Sequence, residues 1–213
     1  MRVTLSFDNG PEPEVTGCVL DVLRARRVRA TFFVIGQKLL DPARRACAER
    51  AQGEGHWIGN HSLTHSTPLG LRADRAGAED EIGRAQQLLG ALAHPDKLFR
   101  PFGGGGRLHP GLLNRSTVDY LCAGAYTCVL WNCVPRDWED RDGWVERALQ
   151  QCLAQPWSLV VLHDLPTGAM LNLDRFVGAL EDAGAEIVQD FPPECVPISR
   201  GRVTSPLDQY VAT

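Results

Sequence analysis

Residues 2–11 read Arg-Val-Thr-Leu-Ser-Phe-Asp-Asn-Gly-Pro, a short apolar run that ends in a carboxylate, an amide and a sharp turn. A run of this length bounded by turn residues predicts a buried strand. The pattern returns further along the chain, where apolar runs at 30–36, 98–102, 126–132 and 158–164 also end in or beside polar residues. These runs alternate with helical segments, which indicates a parallel sheet.

The whole alternation has about seven strands, and it predicts a distorted (β/α) barrel of the α/β class. The predicted strands are 2–8, 30–36, 56–60, 98–102, 126–132, 158–164 and 185–191, and the predicted helices are 14–26, 42–52, 74–92, one that starts at Pro110, 143–154 and 170–183. We expect one domain over 1–213, with a tail from Pro192 that lacks periodicity. In a barrel, the loops after the strands meet at one mouth, so distant residues can share a pocket.

Composition excludes several classes of protein. The net charge of −4 argues against a nucleic-acid interface, and no apolar stretch is long enough to span a membrane. The 7 cysteines are scattered and never spaced C-x-x-C, which is typical of reduced thiols. Met1 and Arg2 lead directly into the first strand, so we expect no signal peptide and a cytoplasmic location. Composition does not predict the oligomeric state.

Five segments at predicted strand ends carry the groups that hydrolytic sites use. They are Ser6-Phe7-Asp8-Asn9-Gly10-Pro11, His61-Ser62-Leu63-Thr64-His65, Arg100-Pro101-Phe102, Arg136-Asp137-Trp138 and Leu162-His163-Asp164. Together they supply carboxylates, imidazoles and a guanidinium. If the strand ends meet at one mouth, all of these groups converge on one pocket.

The first two segments predict a metal-assisted hydrolysis. Asp8 can act as the base on an attacking water, while Asn9 offers a neutral carbonyl ligand. On a helix or helical turn, His61 and His65 share one face and can bind one metal ion. Each group also has an ordinary structural explanation, because Asp8 suits a turn at a strand end and the histidines suit a surface.

The other segments predict the remaining parts of an acid–base site. Arg100 at a strand end can hold a carboxylate through a bidentate bond. Asp137 next to an imidazole would raise its pKa, and His163 is either that general acid or a core histidine. Trp138, together with Trp131, could line a sugar-binding wall.

A glycine-rich stretch, residues 103–106, lies between the third segment and the helix predicted to start at Pro110. It lacks the Gly-Lys-Ser/Thr ending of a phosphate-binding loop. We therefore expect a flexible or tightly turned loop near the site and no nucleotide.

Taken in order, the five segments resemble the polysaccharide deacetylase family, also called carbohydrate esterase family 4. Its motifs T-F-D-D-G-P, H-[ST]-x-x-H, R-x-P-[FY], D-x-x-D-W and L-x-L-H-D correspond here to segments 6–11, 61–65, 100–102, 134–138 and 160–164. The third segment is one residue shorter than the family's third motif, and Val134 stands where the fourth motif has its first Asp. The resemblance extends from about Arg2 to Phe191.

The resemblance implies a distorted barrel that removes acetyl groups with a divalent metal, for which we predict zinc. Its implied metal ligands are His61, His65 and Asn9. Asp8 would be the catalytic base, held by Arg100, and His163 the catalytic acid, tuned by Asp137. Phe102, Trp138 and Leu162 would contact the substrate, the last two as an acetyl pocket.

One departure matters, because Asn9 stands where the family usually has a metal-binding Asp. Losing an anionic ligand should weaken divalent binding. The main expectation is a hydrolase that deacetylates an N-acetylated sugar or polysaccharide. The alternative is an intracellular, metal-independent hydrolase of a cyclic amide or ureide. The third hypothesis is a catalytically inactive binding module. The presence of a complete acid–base set argues against it, namely Asp8, Arg100, Asp137 and His163.

Overall fold

The computed structural model describes residues 1–72 and 77–212. Within them, seven strands run parallel and two short strands run antiparallel at one edge of the sheet. The strands are β1 (Arg2–Asp8), β2 (Thr31–Val34), β3 (Trp57–Asn60), β4 (Leu98–Phe99), β5 (Thr127–Cys128), β6 (Trp157–His163), β7 (Glu186–Val188), β8 (Ile198–Ser199) and β9 (Arg202–Val203). The prediction of a distorted barrel with about seven parallel strands is confirmed.

Strand β1 organises the sheet. The order of strands in the sheet is β6-β1-β2-β3-β4-β5-β8-β9, and β7 pairs with the first half of β1. Arg2 pairs with Glu186 of β7, whereas Ser6 pairs with Thr31 of β2, so two strands share one edge of β1. The sheet curls until Cys133, after β5, forms a parallel bridge with a residue of β6. The curl brings the carboxyl ends of the strands around one mouth.

The helices cover the outside of the sheet. They are α1 (Pro13–Arg26), α2 (Pro42–Gly53), α3 (Arg84–Leu89), α4 (Arg115–Ala123), α5 (Trp144–Leu153) and α6 (Leu173–Asp182). Local sequence explains where α2 begins, because the Asp41 carboxylate accepts from the backbone N–H groups of Ala43 and Arg44 and Pro42 fits the first turn. None of the described helices is long and apolar enough to cross a lipid bilayer.

The predicted helix 74–92 is divided in the structure. Residues 74–76 lie outside the described residues. The following part contains a π-helical turn at Glu79–Gly83, then α3, and ends in a 3-10 turn at Gly90–Leu92. The apolar stripe is nevertheless buried, since Ile82 and Leu89 are both inaccessible to solvent.

Four strands, β2, β4, β5 and β7, are shorter than predicted, and the shortening of β4 and β5 affects the site. Strand β4 ends at Phe99, although the Arg100 N–H still bonds to the Asn60 carbonyl at 2.9 Å, because Pro101 has no N–H to extend the ladder. Strand β5 ends at Cys128, and the extended chain after it bonds to Phe99 and then leaves the ladder. Because β4 and β5 end early, Arg100 and the segment before Asp137 lie outside the regular sheet, on the side of the mouth.

The two faces of β1 have different roles. Val3, Leu5 and Phe7 are completely buried in the core between the sheet and the helices. Ser6 and Asp8 alternate with them and face the barrel interior, where both bond to an arginine. Burying one such large apolar side chain contributes about 1.5–3 kcal/mol, and Phe7→Ala would cost about 3–5 kcal/mol.

The tail from Pro192 packs against the barrel. Strand β8 pairs antiparallel with β5, Tyr210 is buried, and Val211 bridges to Leu113. These contacts close the side of the barrel next to β5. The tail is therefore part of the folded unit over its described residues.

Candidate active site

The five segments meet at the carboxyl ends of the strands around a cavity of about 360 Å³. Each segment contributes to the lining, through Asp8, His61, Phe102, Trp138 and His163. The sheet creates this convergence, because the first and last segments include the ends of β1 and β6 and the second directly follows β3. Residues separated by more than 150 positions in the sequence thus surround one space.

Asp8 is held from inside the barrel by Arg100. The Arg100 Nη1 donates to Asp8 Oδ1 at 2.8 Å and to Ser6 Oγ at 2.8 Å. Its other N–H groups donate to the carbonyls of Val129 and Leu130, so the contact with Asp8 is a single bond rather than the expected bidentate one. Arg100 is fully buried.

The electrostatics around Asp8 favour its ionised form. Burial alone would raise the pKa of this carboxyl. The Arg100 guanidinium, assisted by His61 and His163, outweighs burial and lowers the pKa below its ordinary value. Asp8 is consequently a carboxylate at neutral pH, with Oδ2 3.7 Å from His61 Nε2.

His61 and His65 come together on a loop, and the predicted helical placement is wrong. The chain after β3 turns through left-handed backbone at Ser62 (φ 68°) and His65 (φ 55°), which no helix allows. The two rings are nevertheless 5.0 Å apart between centroids, and His65 stacks on Phe102 at 3.9 Å. A strained loop has replaced the helical turn while keeping both imidazoles at the cavity.

These histidines have the chemistry of metal ligands. His61 Nδ1 lies 2.9 Å from the Arg100 carbonyl, which can only accept, so Nδ1 carries the proton and Nε2 keeps its lone pair. Burial lowers the pKa of His61 to about 4 and also lowers the pKa of His65. Both rings are therefore neutral at pH 7, as metal binding requires.

Asn9 offers a third donor. Its Oδ1 is buried without a hydrogen-bond partner among the described residues, and Asn9 lines the cavity. Lys38 Nζ donates to the Asn9 carbonyl at 2.7 Å and holds this residue in its left-handed conformation (φ 76°). Residues 1–72 and 77–212 contain no cluster of three His, Cys, Asp or Glu for a metal. The donor set that fits a divalent ion is thus two imidazoles and one amide oxygen.

His163 is fixed by Asp137. Both carboxylate oxygens are used, since Oδ1 lies 2.9 Å from His163 Nδ1 and Oδ2 accepts from the His163 backbone N–H at 3.0 Å. Burial alone would lower the pKa of His163, but the bond and charge of Asp137 raise it above its ordinary value. Trp138 meets the ring edge-on at 4.7 Å. Since Asp137 binds Nδ1 and the His163 ring lines the cavity, Nε2 is the ring nitrogen that can transfer a proton to a substrate.

The cavity walls are mainly apolar. Trp131 and Trp138 both line it, and the Trp131 indole N–H donates to the Gly106 carbonyl at 2.7 Å. The glycine stretch 103–106 forms a tight turn whose four residues all have positive φ. A Cβ at Gly106 would lie 2.6 Å from Val134, so this wall approaches its neighbour too closely for a side chain.

The predicted placement of Leu162 at the substrate pocket is corrected. Leu162 is fully buried in the core on the helix side of the sheet. Side chains alternate along β6, so Val161 and His163 share the inner face and line the cavity. Leu165, after the strand, also lines it. The apolar contacts expected from Leu162 come from these neighbours.

Asp164 is a second buried carboxyl group behind the cavity. Its Oδ2 accepts from Thr16 Oγ1 at 2.5 Å, while Oδ1 has no partner among the described residues. Burial raises the pKa of Asp164 to about 7. A Cβ on Gly10 would lie 2.1 Å from Oδ2, so only glycine lets the turn after Asn9 pass this carboxyl.

Comparisons with known proteins agree with this geometry. The family model described as polysaccharide deacetylase matches residues 1–117. The chitooligosaccharide deacetylase of Bradyrhizobium sp. (strain ANU 289) is 36% identical over 164 residues, which are 76% of this chain and 70% of the relative. The chain therefore belongs to the polysaccharide deacetylase family.

Two solved structures share the fold. The family 4 carbohydrate esterase from Streptomyces lividans in complex with acetate gives a TM-score of 0.74 at 25% identity, over 93% of this chain and 97% of that one. The family 4 acetyl xylan esterase from Clostridium thermocellum in complex with a cobalt ion gives 0.70 at 26% identity, over 88% and 87%. Family membership confirms the prediction of a hydrolase acting on carbon–nitrogen bonds other than peptide bonds.

Sequence reasoning missed several residues that shape the site. Glu81 is a buried and Lys38 a half-buried charged residue that hold the site loops, and the sequence predicts neither role. Asp164 lies in a predicted segment, but its burial behind the cavity is not predicted. A lone acidic residue in an amphipathic helix carries no local signal of its partner. In the sequence Val134 is only a departure from a motif, yet in the structure it lies against Gly106 and lines the cavity.

Proposed function

We propose that this chain deacetylates an N-acetylated sugar by acid–base hydrolysis of the amide, with a divalent metal ion bound at the same cavity. The observation that carries the proposal is the placement of Asp8 and His163. They form a register pair on adjacent strands, each with its own fixed partner, and both line the cavity beside His61 and His65. A base and an acid held side by side at one cavity are what amide hydrolysis needs.

Asp8 would act as the general base. Arg100 occupies Oδ1, so Oδ2 is the atom available to take a proton from the attacking water. Arg100 also keeps the pKa of Asp8 low, which ensures that the group is ionised when substrate arrives. Positioned proton transfer of this kind contributes typically about 10²–10⁴-fold to the rate.

His163 would act as the general acid. The proton on Nδ1 is committed to Asp137, so the proton for the leaving nitrogen is the one on Nε2. Asp137 raises the pKa of the ring, which keeps Nε2 protonated nearer to neutral pH. An amine is a poor leaving group without a proton, so this step is required for amide cleavage.

The residues that would hold the metal are His61, His65 and Asn9. A bound divalent ion would polarise the acetyl carbonyl and the attacking water. Two neutral imidazoles suit zinc, and the Clostridium thermocellum relative was solved with cobalt, which takes similar ligands. We propose zinc, bound more weakly than with an aspartate at position 9, because the donor set supplies no negative charge of its own.

Sugar is the substrate class that the walls fit best. Trp131, Trp138 and Phe102 present aromatic surface, and aromatic faces pack against the C–H faces of a pyranose ring. Relatives of this chain include chitooligosaccharide deacetylases, which supports N-acetylated oligosaccharides in particular. The seven free cysteines support a reducing compartment, and we propose the cytoplasm.

The test is an assay of acetate release from acetylated chito-oligomers, run beside a panel of cyclic amides. Protein stripped with a chelator should release little acetate, and added Zn²⁺ or Co²⁺ should restore release. His61→Ala, which removes a proposed ligand, should not respond to added metal. Cleavage of a cyclic amide that is insensitive to the chelator, without acetate release from chito-oligomers, would replace this proposal with the metal-independent alternative.

A further inference from the structure

The loop that carries the two candidate imidazole ligands, His61 and His65, adopts an unfavourable backbone. Ser62 and His65 have φ values of 68° and 55°, and non-glycine residues in this left-handed region cost about 1–2 kcal/mol each. Such a conformation persists only when surrounding contacts over-determine it. The contacts that hold this loop therefore decide where the two imidazoles lie.

Two backbone bonds hold the loop, from the Gly36 and Gln37 N–H groups to the Ser62 and Leu63 carbonyls, and three more run to the carboxylate of Glu81, which is 4% exposed. Its Oε2 accepts from the backbone N–H groups of Leu63 and Thr64, at 3.1 and 2.9 Å. Its Oε1 accepts from Thr64 Oγ1 at 2.7 Å, and Arg72 Nη1 lies 3.5 Å from the same oxygen. A buried carboxylate is costly without donors, so these bonds fix the loop and the carboxylate together.

A second set of hydrogen bonds joins the histidine loop to the helical turn Glu79–Gly83, which contains Glu81. Asn60 Nδ2 donates to the Ile82 carbonyl at 2.9 Å, and Asn60 Oδ1 accepts from the Ser62 N–H at 3.0 Å. Ser62 Oγ in turn accepts from the His65 N–H at 3.1 Å. Glu81 and Ile82 both lie in the π-helical turn, a local widening that is often found at functional sites.

We infer that Glu81 is a positioning residue for the metal site: it clamps the strained loop so that His61 and His65 face the same ion. The inference rests on the proposed metal site and goes beyond it, because Glu81 itself binds no metal. Its oxygens are already occupied by the loop's donors, and it acts through the backbone between the two histidines. Loss of the clamp should therefore change metal affinity without removing any ligand.

The test measures binding of Co²⁺ alone by calorimetry and by its visible absorption spectrum. Glu81→Met keeps the length of the side chain but removes both acceptors, and Kd should rise about 10–100-fold, as for other residues that orient ligands. Glu81→Gln keeps one carbonyl oxygen for the two backbone N–H groups and should lie closer to the native protein. Glu79→Met, an exposed position on the same turn, is the matched control and should bind normally.

Thermal unfolding of the metal-free variants separates positioning from stability. A purely structural role would lower Tm in Glu81→Met and leave the Kd of the folded protein at the native value, which would overturn the inference. Equal losses of affinity in Glu81→Gln and Glu81→Met would also overturn it, because charge rather than the clamp would then be responsible. If Glu81→Met does not fold, Thr64→Val removes one bond to Glu81 and should weaken binding roughly two- to tenfold, and a native Kd there would refute the clamp.

The same titrations distinguish failure of the inference from failure of the metal site. If the native protein binds no Co²⁺, or if His61→Ala and His65→Ala bind as it does, the proposed site itself is refuted. If both histidine variants lose binding while Glu81→Met retains the native Kd, only the role of Glu81 is refuted.

Discussion

Asp8 and His163 are register partners at the ends of neighbouring parallel strands, β1 and β6. Residues paired in this way project to the same face of a sheet, so the proposed base and acid are held at a fixed separation by the backbone itself. Arg100 and Asp137 then orient each side chain from behind. The geometry of proton transfer therefore depends on the barrel rather than on mobile loops.

Asp8→Asn tests the proposed base. Asparagine can still accept from Arg100, so the fold and the binding of substrate should change little, while the capacity to take a proton is lost. We expect kcat to fall about 10²–10⁴-fold with a nearly constant KM. Steady-state kinetics on an acetylated chito-oligomer, with Co²⁺ content measured in parallel, checks this. Near-native turnover at native metal content would remove Asp8 from the mechanism.

Asn9→Asp tests the third metal donor. The substitution places a negative charge where the buried Oδ1, which has no hydrogen-bond partner among the described residues, now lies. An anionic oxygen binds a divalent ion more strongly than an amide oxygen does. The affinity for Zn²⁺ should rise, as measured by competition with a chelator. Asp41→Asn, at an exposed helix cap, serves as a control for surface charge. An unchanged Kd would show that Asn9 does not face the metal.

Sequence alone could predict the convergence of the site because strand ends can be recognised locally. The apolar runs before Asp8 and His163 and the polar turns after them are each visible in fewer than ten residues. The barrel rule then places both residues at one mouth. Alternation along β6 would also have placed Leu162 on the opposite face from His163, and the motif resemblance overrode that rule.

The histidine loop shows what local sequence could not predict. The i, i+4 spacing of His61 and His65 indicates a helix, but the left-handed residues and the bonds to Glu81 select a loop. Those bonds join positions 17 and 18 residues apart. Whether such distant residues meet depends on how α3 and the turn before it pack on β3. The sequence of the loop itself contains no pattern that predicts these contacts.

Asp164→Asn should change the pH dependence of stability. Burial raises the pKa of Asp164 to about 7 in the folded protein, so between about pH 4 and 7 the folded state holds a proton that the unfolded state has released. The protonated Asp164 therefore contributes to the free energy of unfolding at low pH, and this contribution is lost as the pH rises toward 7.

Asparagine does not titrate, so the free energy of unfolding of Asp164→Asn relative to the native protein should increase by about 1.4 kcal/mol per pH unit over this window and stay constant above it. Urea unfolding of metal-free protein at several pH values measures the difference. A difference independent of pH would show that Asp164 is ionised in the folded state throughout.

Asp137→Asn should move the basic limb of the pH–rate profile. The proposed acid must be protonated, so activity falls as pH rises through the pKa of His163, which Asp137 raises. Without that charge, burial lowers the pKa of the ring, and the basic limb of kcat/KM should shift to lower pH. Asp142→Asn, an exposed carboxylate nearby, should leave the limb in place. An unshifted limb in Asp137→Asn would assign it to another group.

His163→Ala separates chemistry from scaffold most directly. Hydrolysis of an amide must protonate a poor leaving nitrogen, whereas an activated acetyl ester releases a stable anion that needs no proton. Loss of the acid should therefore nearly abolish amide cleavage and affect the ester much less. The side chain is 13% exposed and lines the cavity rather than the core, so the variant should fold and bind Co²⁺ as the native protein does.

The ratio of the two rates, amide to activated ester, is the quantity to measure, because it cancels changes in the amount of active protein. His94→Ala, at a histidine near the opposite end of the barrel, provides the matched control and should leave the ratio unchanged. Equal losses on both substrates in His163→Ala would instead assign the imidazole to stabilising the tetrahedral oxyanion, since both reactions pass through that charge. A variant that does not fold would show that His163 serves the barrel as a core residue.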